Sequence, residues 1–429
     1  MRYERLKTLV LISLVVLSGW LTYQLWIFQP KIDDLDMGKE DKGADHVRLG
    51  DQRKIVDLLR PSQMVIHSGP SQYYLINSKE KSENLLSDIK KSKWVEMAEN
   101  VDEMPSEGIE VIFPVSVPVT MLFEQSNVEE EIGFVKEKVL DRLFLYEDEE
   151  KDAVLMQFTS DNEDEVHTVS IEMSRAHFEA YLAVDEKSEV RAEIGGGDVQ
   201  EDTFSPRWYV TAEAIEMDRY ERYIDRLSAD GMTKLFLEDG VITKGNVNGN
   251  RISTDGRRTV TVDAVQNFLE YDYQLSVESD GEPDTHILES SVSFINLFGG
   301  WTDQYMVGHW TMNTYGGEVE FYLYDNGYPI FPYPGMKEPP MKMWIKREGT
   351  SVRRYERPLI RLGQSIQISK PLMSPGVDVL TELDRQKVTV TDLKLGYDVK
   401  LSVEADRLIF EPRWFYKDDD GVWHRFLWD

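Results

Sequence analysis

The chain opens with its longest apolar run. Thr8 to Phe28 contains no charged residue, and the short segment before it carries Arg2, Arg5 and Lys7. As a helix this run would be about 31 Å long, close to the roughly 30 Å hydrocarbon core of a bilayer. It is longer than the about 7–15 apolar residues of a signal peptide, and it lacks a small-residue cleavage site. Trp20, Tyr23 and Trp26 suit the outer membrane interface, and Pro30 ends the helix. The run therefore reads as a retained anchor, with a long cleaved signal as the alternative. Arg2, Arg5 and Lys7 place the N-terminus in the cytoplasm by the positive-inside rule. Nearly all of the mass then lies outside the cytoplasm, at the cell membrane, on a single pass.

After the anchor the period shortens. Residues 31–54 are charged and carry three glycines, which reads as a solvated stalk. "RKIVDLLRP" predicts a short helix, and "SQMVIHSG" and "QYYLINS" predict strands around Gly69–Pro70. Leu85, Leu86, Ile89 and Trp94 recur at helical spacing. "GIEVIFPVSVPVTMLF", "DRLFLYED", "DAVLMQFTS" and "EVHTVSIEMS" read as strands. Beyond the glycine-rich 190–206, "RWYVTAEAIEMDRYERYIDRLSADG" predicts a strand and then a helix closed near Gly231. "KLFLEDGVITKG" predicts a hairpin with Asp239–Gly240 at its turn, and "GEVEFYLYDNGYPIF" one with Asn326–Gly327. "HILESSVSFINLFGGW" and "GVDVLTELDRQ" predict helices. The last stretch, "RLIFEPRWFYKDDDGVWHRFLW", predicts a hairpin around Asp418–Gly421.

The expected class is α+β: one N-terminal transmembrane helix, then three extracytoplasmic domains of antiparallel sheets with packed helices. The expected boundaries are a cytoplasmic head 1–7, a transmembrane helix 8–28 and a stalk 29–54. An N-terminal α+β domain 55–200, a central α+β domain 205–285 and a C-terminal α+β domain 286–429 follow.

Composition narrows the function. The net charge of −30 argues against nucleic acid as a partner. Cysteine is absent, so disulfides, thiol catalysis and cysteine-linked lipid are excluded. An exported Gram-positive protein fits that absence. The seven histidines are scattered, with no two three to five residues apart, so no zinc motif exists. Ser87 and Lys90 match S-x-x-K without the companion S-D-N and K-T-G motifs. No nucleophile elbow, phosphate loop or dinucleotide fingerprint is present. We expect no catalytic, cofactor-binding or metal residues, and no enzyme.

Four stretches carry a resemblance. The basic head Met1–Lys7 with its exit "LTYQLWIFQP", then "FINLFGGWTDQY", "EVEFYLYDNGYPIF" and "FEPRWFYK", resemble the YycH family in order along the whole chain. That resemblance implies a membrane-anchored, non-enzymatic regulator. Such a regulator restrains an essential sensor histidine kinase of the WalK (YycG) type, together with a YycI-like companion. It also implies a C-terminal domain similar to the companion, and contact with the kinase largely through transmembrane helices. Helices in lipid associate through small and polar residues. Ser18, Gly19 and Thr22 are therefore the expected interface, although such residues are tolerated anywhere in membrane helices. An extracytoplasmic small-ligand module and a cell-wall-acting enzyme are the competing classes. Both predict a real pocket, the enzyme with paired carboxylates or a metal in it.

Overall fold

Alternation explains why strands dominate. Val154, Met156 and Phe158, at every second position, enter the main core from one face of a strand, while Leu155 between them is buried on the other. The computed structural model describes Lys7, Ser18 and most of 49–428. The segments 99–104, 124–132, 149–151, 161–162, 186–187, 197–206, 238–241, 275–284, 337–340 and 403–405 are outside the description, as are positions 134, 137, 264, 266 and 335.

Nine strands form the first sheet: β1 (Gln63–Ser68), β2 (Tyr73–Ile76), β3 (Trp94–Met97), β4 (Glu107–Pro118), β5 (Val139–Asp148), β6 (Ala153–Ser160), β7 (Glu163–Ile171), β8 (Glu189–Gly196) and β9 (Trp208–Thr211). Their order is β3-β7-β6-β5-β4-β1-β2-β8-β9. Four helices accompany them: α1 (Ile55–Leu58), α2 (Lys79–Lys91), α3 (Val119–Leu122) and α4 (Arg175–Leu182). In α2, Ser78 caps the helix by accepting from Lys81 N at 3.2 Å, and Lys90 and Lys91 sit in the last turn. The helix buries Leu85 and Ile89 as its spacing predicts. Trp94 departs from that expectation. Ser92 is extended and ends the helix, so Trp94 opens β3 instead and pairs with Ile171 at the sheet edge. Its indole is fully buried, with its ring centroid 4.7 Å from that of Phe123.

The second half builds two more large sheets. β10 (Ile215–Glu216) pairs only with β22 (Leu372–Met373) among the described residues. β11 (Arg219–Arg226) lies between β21 (Ile360–Ser369) and β24 (Arg407–Lys417), with β23 (Asp392–Ser402) and β25 (Trp423–Arg425) both on β24. The other sheet runs β12 (Thr243–Val247), β13 (Asn250–Thr254), β14 (Arg258–Asp263), β15 (Phe268–Tyr273), β20 (Ser351–Pro358), β19 (Lys342–Glu348), β17 (Gly316–Asp325), β16 (Tyr305–Asn313). β18 (Tyr328–Pro329) folds back on β17. Helices α5 (Ala229–Phe236), α6 (Ile287–Leu297) and α7 (Gly376–Arg385) complete this half.

"RYERYIDR" is thus a strand where a helix is expected. Tyr220 and Ile224, four apart, suit a helix face, but both are buried in β11 between two partner strands. The helix comes later. Ser228 caps α5 by accepting from Gly231 N at 3.1 Å, so Gly231 lies in its first turn. Lys234 to Phe236 are helical rather than part of a hairpin, and Asp239–Gly240 lie outside the described residues. The Asn326–Gly327 turn forms as expected. Its φ values of 49° and 86° suit a type I′ turn between Asp325 and Tyr328. Strands from 205–285 and from 286–429 share both of the later sheets. A continuous apolar core runs from Leu58 to Phe426.

Among the described residues no helix is long and apolar enough to cross a membrane. The expected transmembrane helix 8–28 lies outside them, apart from Ser18.

Candidate functional site

The first candidate feature is where the chain enters the body. Leu49 N and Gly50 N both donate to Gly299 O, at 3.2 and 2.9 Å. Asp51 and Trp301 exchange backbone hydrogen bonds of 2.9 and 2.8 Å. Asn296, on α6, accepts from Arg53 N at 2.9 Å and donates to Arg53 O at 2.8 Å. Arg361 donates to Leu49 O, and the fully buried Arg357 donates to Gly300 O. Glycine is required on both sides of this clamp. A Cβ at Gly50 would meet Trp301 O at 2.1 Å, and one at Gly300, where φ is +74°, would meet Gly50 O at 2.7 Å. Residues 49–53 are therefore fastened to the turn after α6, and the expected solvated stalk is corrected there. Composition suggested a linker because the partners lie about 250 residues away in "FINLFGGW".

The second feature begins at the next residues. A cleft of about 1380 Å³ opens beside Arg53 and Lys54. One wall comes from α2, with Lys79, Lys90 and Lys91, and from the residues just after α1, with Arg60. Lys394 on β23 and Lys417 on β24 line it from another part of the chain. Three acids share the lining: Asp57, Glu83 and Asp392. They are engaged already, Glu83 with Arg60 at 3.3 Å and with Lys79 at 4.0 Å, and Asp392 with Lys394 at 2.5 Å. Asp57 Oδ2 accepts from Lys54 N. Burial, then the like charge of Arg60, lowers the Lys90 ammonium to about 8, with Asp57 pulling the other way. Burial also lowers Lys417, which makes no salt bridge among the described residues. Lys394 and Lys417 place their ammonium groups 5.8 and 6.0 Å from the Trp423 ring centroid. The large cleft is thus cationic, in a chain with net charge −30.

A third feature is buried in the first sheet. Glu110 accepts from Tyr209 Oη at 2.6 Å, lies 3.0 Å from His67 Nε2, and pairs with Arg142. Burial alone would raise its pKa, but Arg142, then His67 and Tyr209, hold it down at about 2. Arg142 also donates to Arg207 O at 2.8 Å. The cluster ties the leading end of β9 to the middle of the sheet. It is sealed from solvent, so we assign it to structure. No sequence signal would have found it, since its members are spread from His67 to Tyr209.

Of the sequence-predicted positions, Lys7 and Ser18 are described, and both are helical. Gly19, Thr22, Trp20, Tyr23, Trp26, Arg2 and Arg5 lie outside the described residues. Ser87 and Lys90, the S-x-x-K pair, both line the cleft, and Lys90 Nζ donates to Val56 O at 3.1 Å. Three further histidines have side-chain or capping partners. His286 caps α6, while His177 and His424 pair with Asp88 and Asp418. Among the described residues no three histidine or carboxylate side chains are grouped to hold a metal.

Comparison with known proteins decides the family. The model of the YycH protein N-terminal domain matches residues 4–187, and that of the YycH protein C-terminal domain matches 206–426. The chain belongs to the YycH family. A Bacillus subtilis (strain 168) protein, described as the two-component system WalR/WalK regulatory protein YycH, is 21% identical over 97% of this chain and 95% of its own length. The crystal structure of YycH from Bacillus subtilis superposes with a TM-score of 0.66 at 15% identity, covering 89% of this chain and 99% of that one. The sheet-rich fold described above is therefore the family's fold.

Proposed function

We propose that this YycH-family chain is a membrane-anchored, non-enzymatic regulator of a WalK-type sensor histidine kinase. In this reading it restrains the kinase together with a YycI-like companion. Contact runs largely through the transmembrane helix, with Ser18, Gly19 and Thr22 toward the partners and Trp20, Tyr23 and Trp26 at the outer interface. The end-to-end match with the Bacillus subtilis regulatory protein carries the reading. The clamp at 49–53 supports it physically. It fixes residues 49–53 to the body by several backbone hydrogen bonds and by Asn296. Moving a kinase from mostly on to mostly off needs only a few kcal/mol of differential binding.

The test is kinase-regulon output in cells lacking the protein. Such cells receive the full chain, residues 1–30 alone, or 31–429 on an unrelated membrane helix. Restoration by 1–30 assigns the effector surface to the helix. Replacing Ser18, Gly19 and Thr22 together by leucine is then expected to abolish restraint. Unchanged restraint in that variant refutes the interface, and restoration only by the swapped-helix form moves the contact to the outer body.

A further inference from the structure

We propose that the cationic cleft is a binding site for a ligand bearing several phosphodiester-type anions. The first argument is charge. Eight cationic and three anionic residues line the cleft, while the chain as a whole carries 78 acids against 48 bases. Positive charge is therefore gathered here against the composition. The three acids are engaged with residues of the cleft itself, and they leave Lys91, Lys417 and Arg53 without a salt bridge among the described residues.

The second argument is placement. The cations come from α2 and the residues flanking α1, and from β23 and β24 far along the chain, so an anion chain in the cleft meets cations of both groups. The half-buried ammonium of Lys417, which makes no salt bridge among the described residues, has lost hydration that a bound anion would offset.

The third argument is chemical type. Six of the eight cations are lysines, and one of the two arginines is already paired with Glu83. Lysine acts as a point charge that can approach any oxygen of a tetrahedral phosphate, as phosphate-binding lysines do, without needing a planar partner. Trp423, Tyr324, Tyr328 and Phe331 line the same space and offer apolar faces to the uncharged links of such a chain. At about 1380 Å³ the cleft exceeds the usual 300–1,000 Å³ of a small-molecule site, which fits several repeating units.

Two sources share this chemistry, a soluble phosphate polymer and an anionic lipid headgroup. The test is calorimetric titration of the full chain in neutral-lipid nanodiscs. The probes are short-chain inorganic polyphosphate, dihexanoyl phosphatidylglycerol and polyglutamate. The expected result is binding of at least one phosphate probe, weakening as sodium chloride rises. The triple variant Lys79→Met, Lys90→Met, Lys417→Met should bind it about tenfold or more weaker. Lys244→Met with Lys346→Met, outside the cleft, should bind it unchanged. The tighter of the two phosphate probes identifies the source. The proposal is overturned if neither phosphate probe binds, if the triple variant binds as the wild type does, or if polyglutamate binds as tightly. Should the triple variant not fold, the exposed Lys79→Glu carries the same test with a several-fold loss. No kinase is present in the titration, so its outcome is independent of the regulatory reading.

Discussion

Lys90 shows how one residue links stability to the cleft. Its ammonium is lowered from 10.5 to about 8, first by burial and then by Arg60. Between those two pH values the unfolded chain binds a proton that the folded chain has released. Stability from this group therefore rises with pH across roughly 8 to 10.5. Below pH 8 both states are protonated and Lys90 is a net cost. We expect Lys90→Met to raise the unfolding free energy from urea titration at pH 7 by an amount on the order of 1–2 kcal/mol once solvent at its partly exposed head is allowed for. The advantage of the variant should vanish by about pH 10.5. Urea titrations of both proteins from pH 7 to 10.5 measure this, and a constant difference would remove Lys90 from the account. Glu110 is the contrasting case. It is fully buried yet ionised, because Arg142, His67 and Tyr209 all address it. Neither residue's role was legible in the sequence, where Lys90 stood out only as half of an S-x-x-K match. Both are single charges in a chain rich in charge, and only their burial distinguishes them.

Elements were legible where the signal is local. The Leu85, Leu86, Ile89 spacing of α2, the Asn326–Gly327 turn and the apolar spacing of α6 lie within a few residues of what they specify. β11 was not, because Tyr220 and Ile224 fit a helix equally well until strands from far along the chain flank them. Trp94 failed for the same reason, since its sheet-edge partner Ile171 is not a neighbour in sequence. The 49–53 clamp is the sharpest example. Gly299–Gly300 reads as a helix end, which it is, but its second use as a docking turn depends on Gly50. Backbone lies where a side chain would go on both sides. Gly50→Val should cost about 1–3 kcal/mol, or else release the segment. Hydrogen exchange decides between these outcomes and a tolerant clamp. Faster exchange of the Leu49, Gly50, Asp51 and Arg53 amides is expected, and unchanged protection with unchanged stability would refute the close-approach argument.

At the scale of the molecule, charge acts with two signs. The chain's net −30 repels itself, and that repulsion opposes the compact state at low ionic strength. The cleft is a local exception, where cations from opposite ends of the chain, Arg53 to Lys417, come together. Composition alone revealed the first sign and hid the second, because averaging over the sequence buries eight lining cations under an excess of acids. The two signs separate in their response to salt. Residues 47–429 form one compact unit, so its unfolding can be followed directly. Raising sodium chloride from about 20 to 300 mM shortens the Debye length from roughly 20 Å to below 6 Å. The thermal midpoint of this unit should then rise as self-repulsion is screened. Neutralising the cleft by Lys79→Met, Lys90→Met and Lys417→Met makes the net charge more negative, so the variant's midpoint should climb more steeply with salt than the wild type's. A midpoint that falls with salt in both proteins would mean that ion pairs such as Arg222–Asp325 outweigh self-repulsion, and that net charge does not govern this fold's stability.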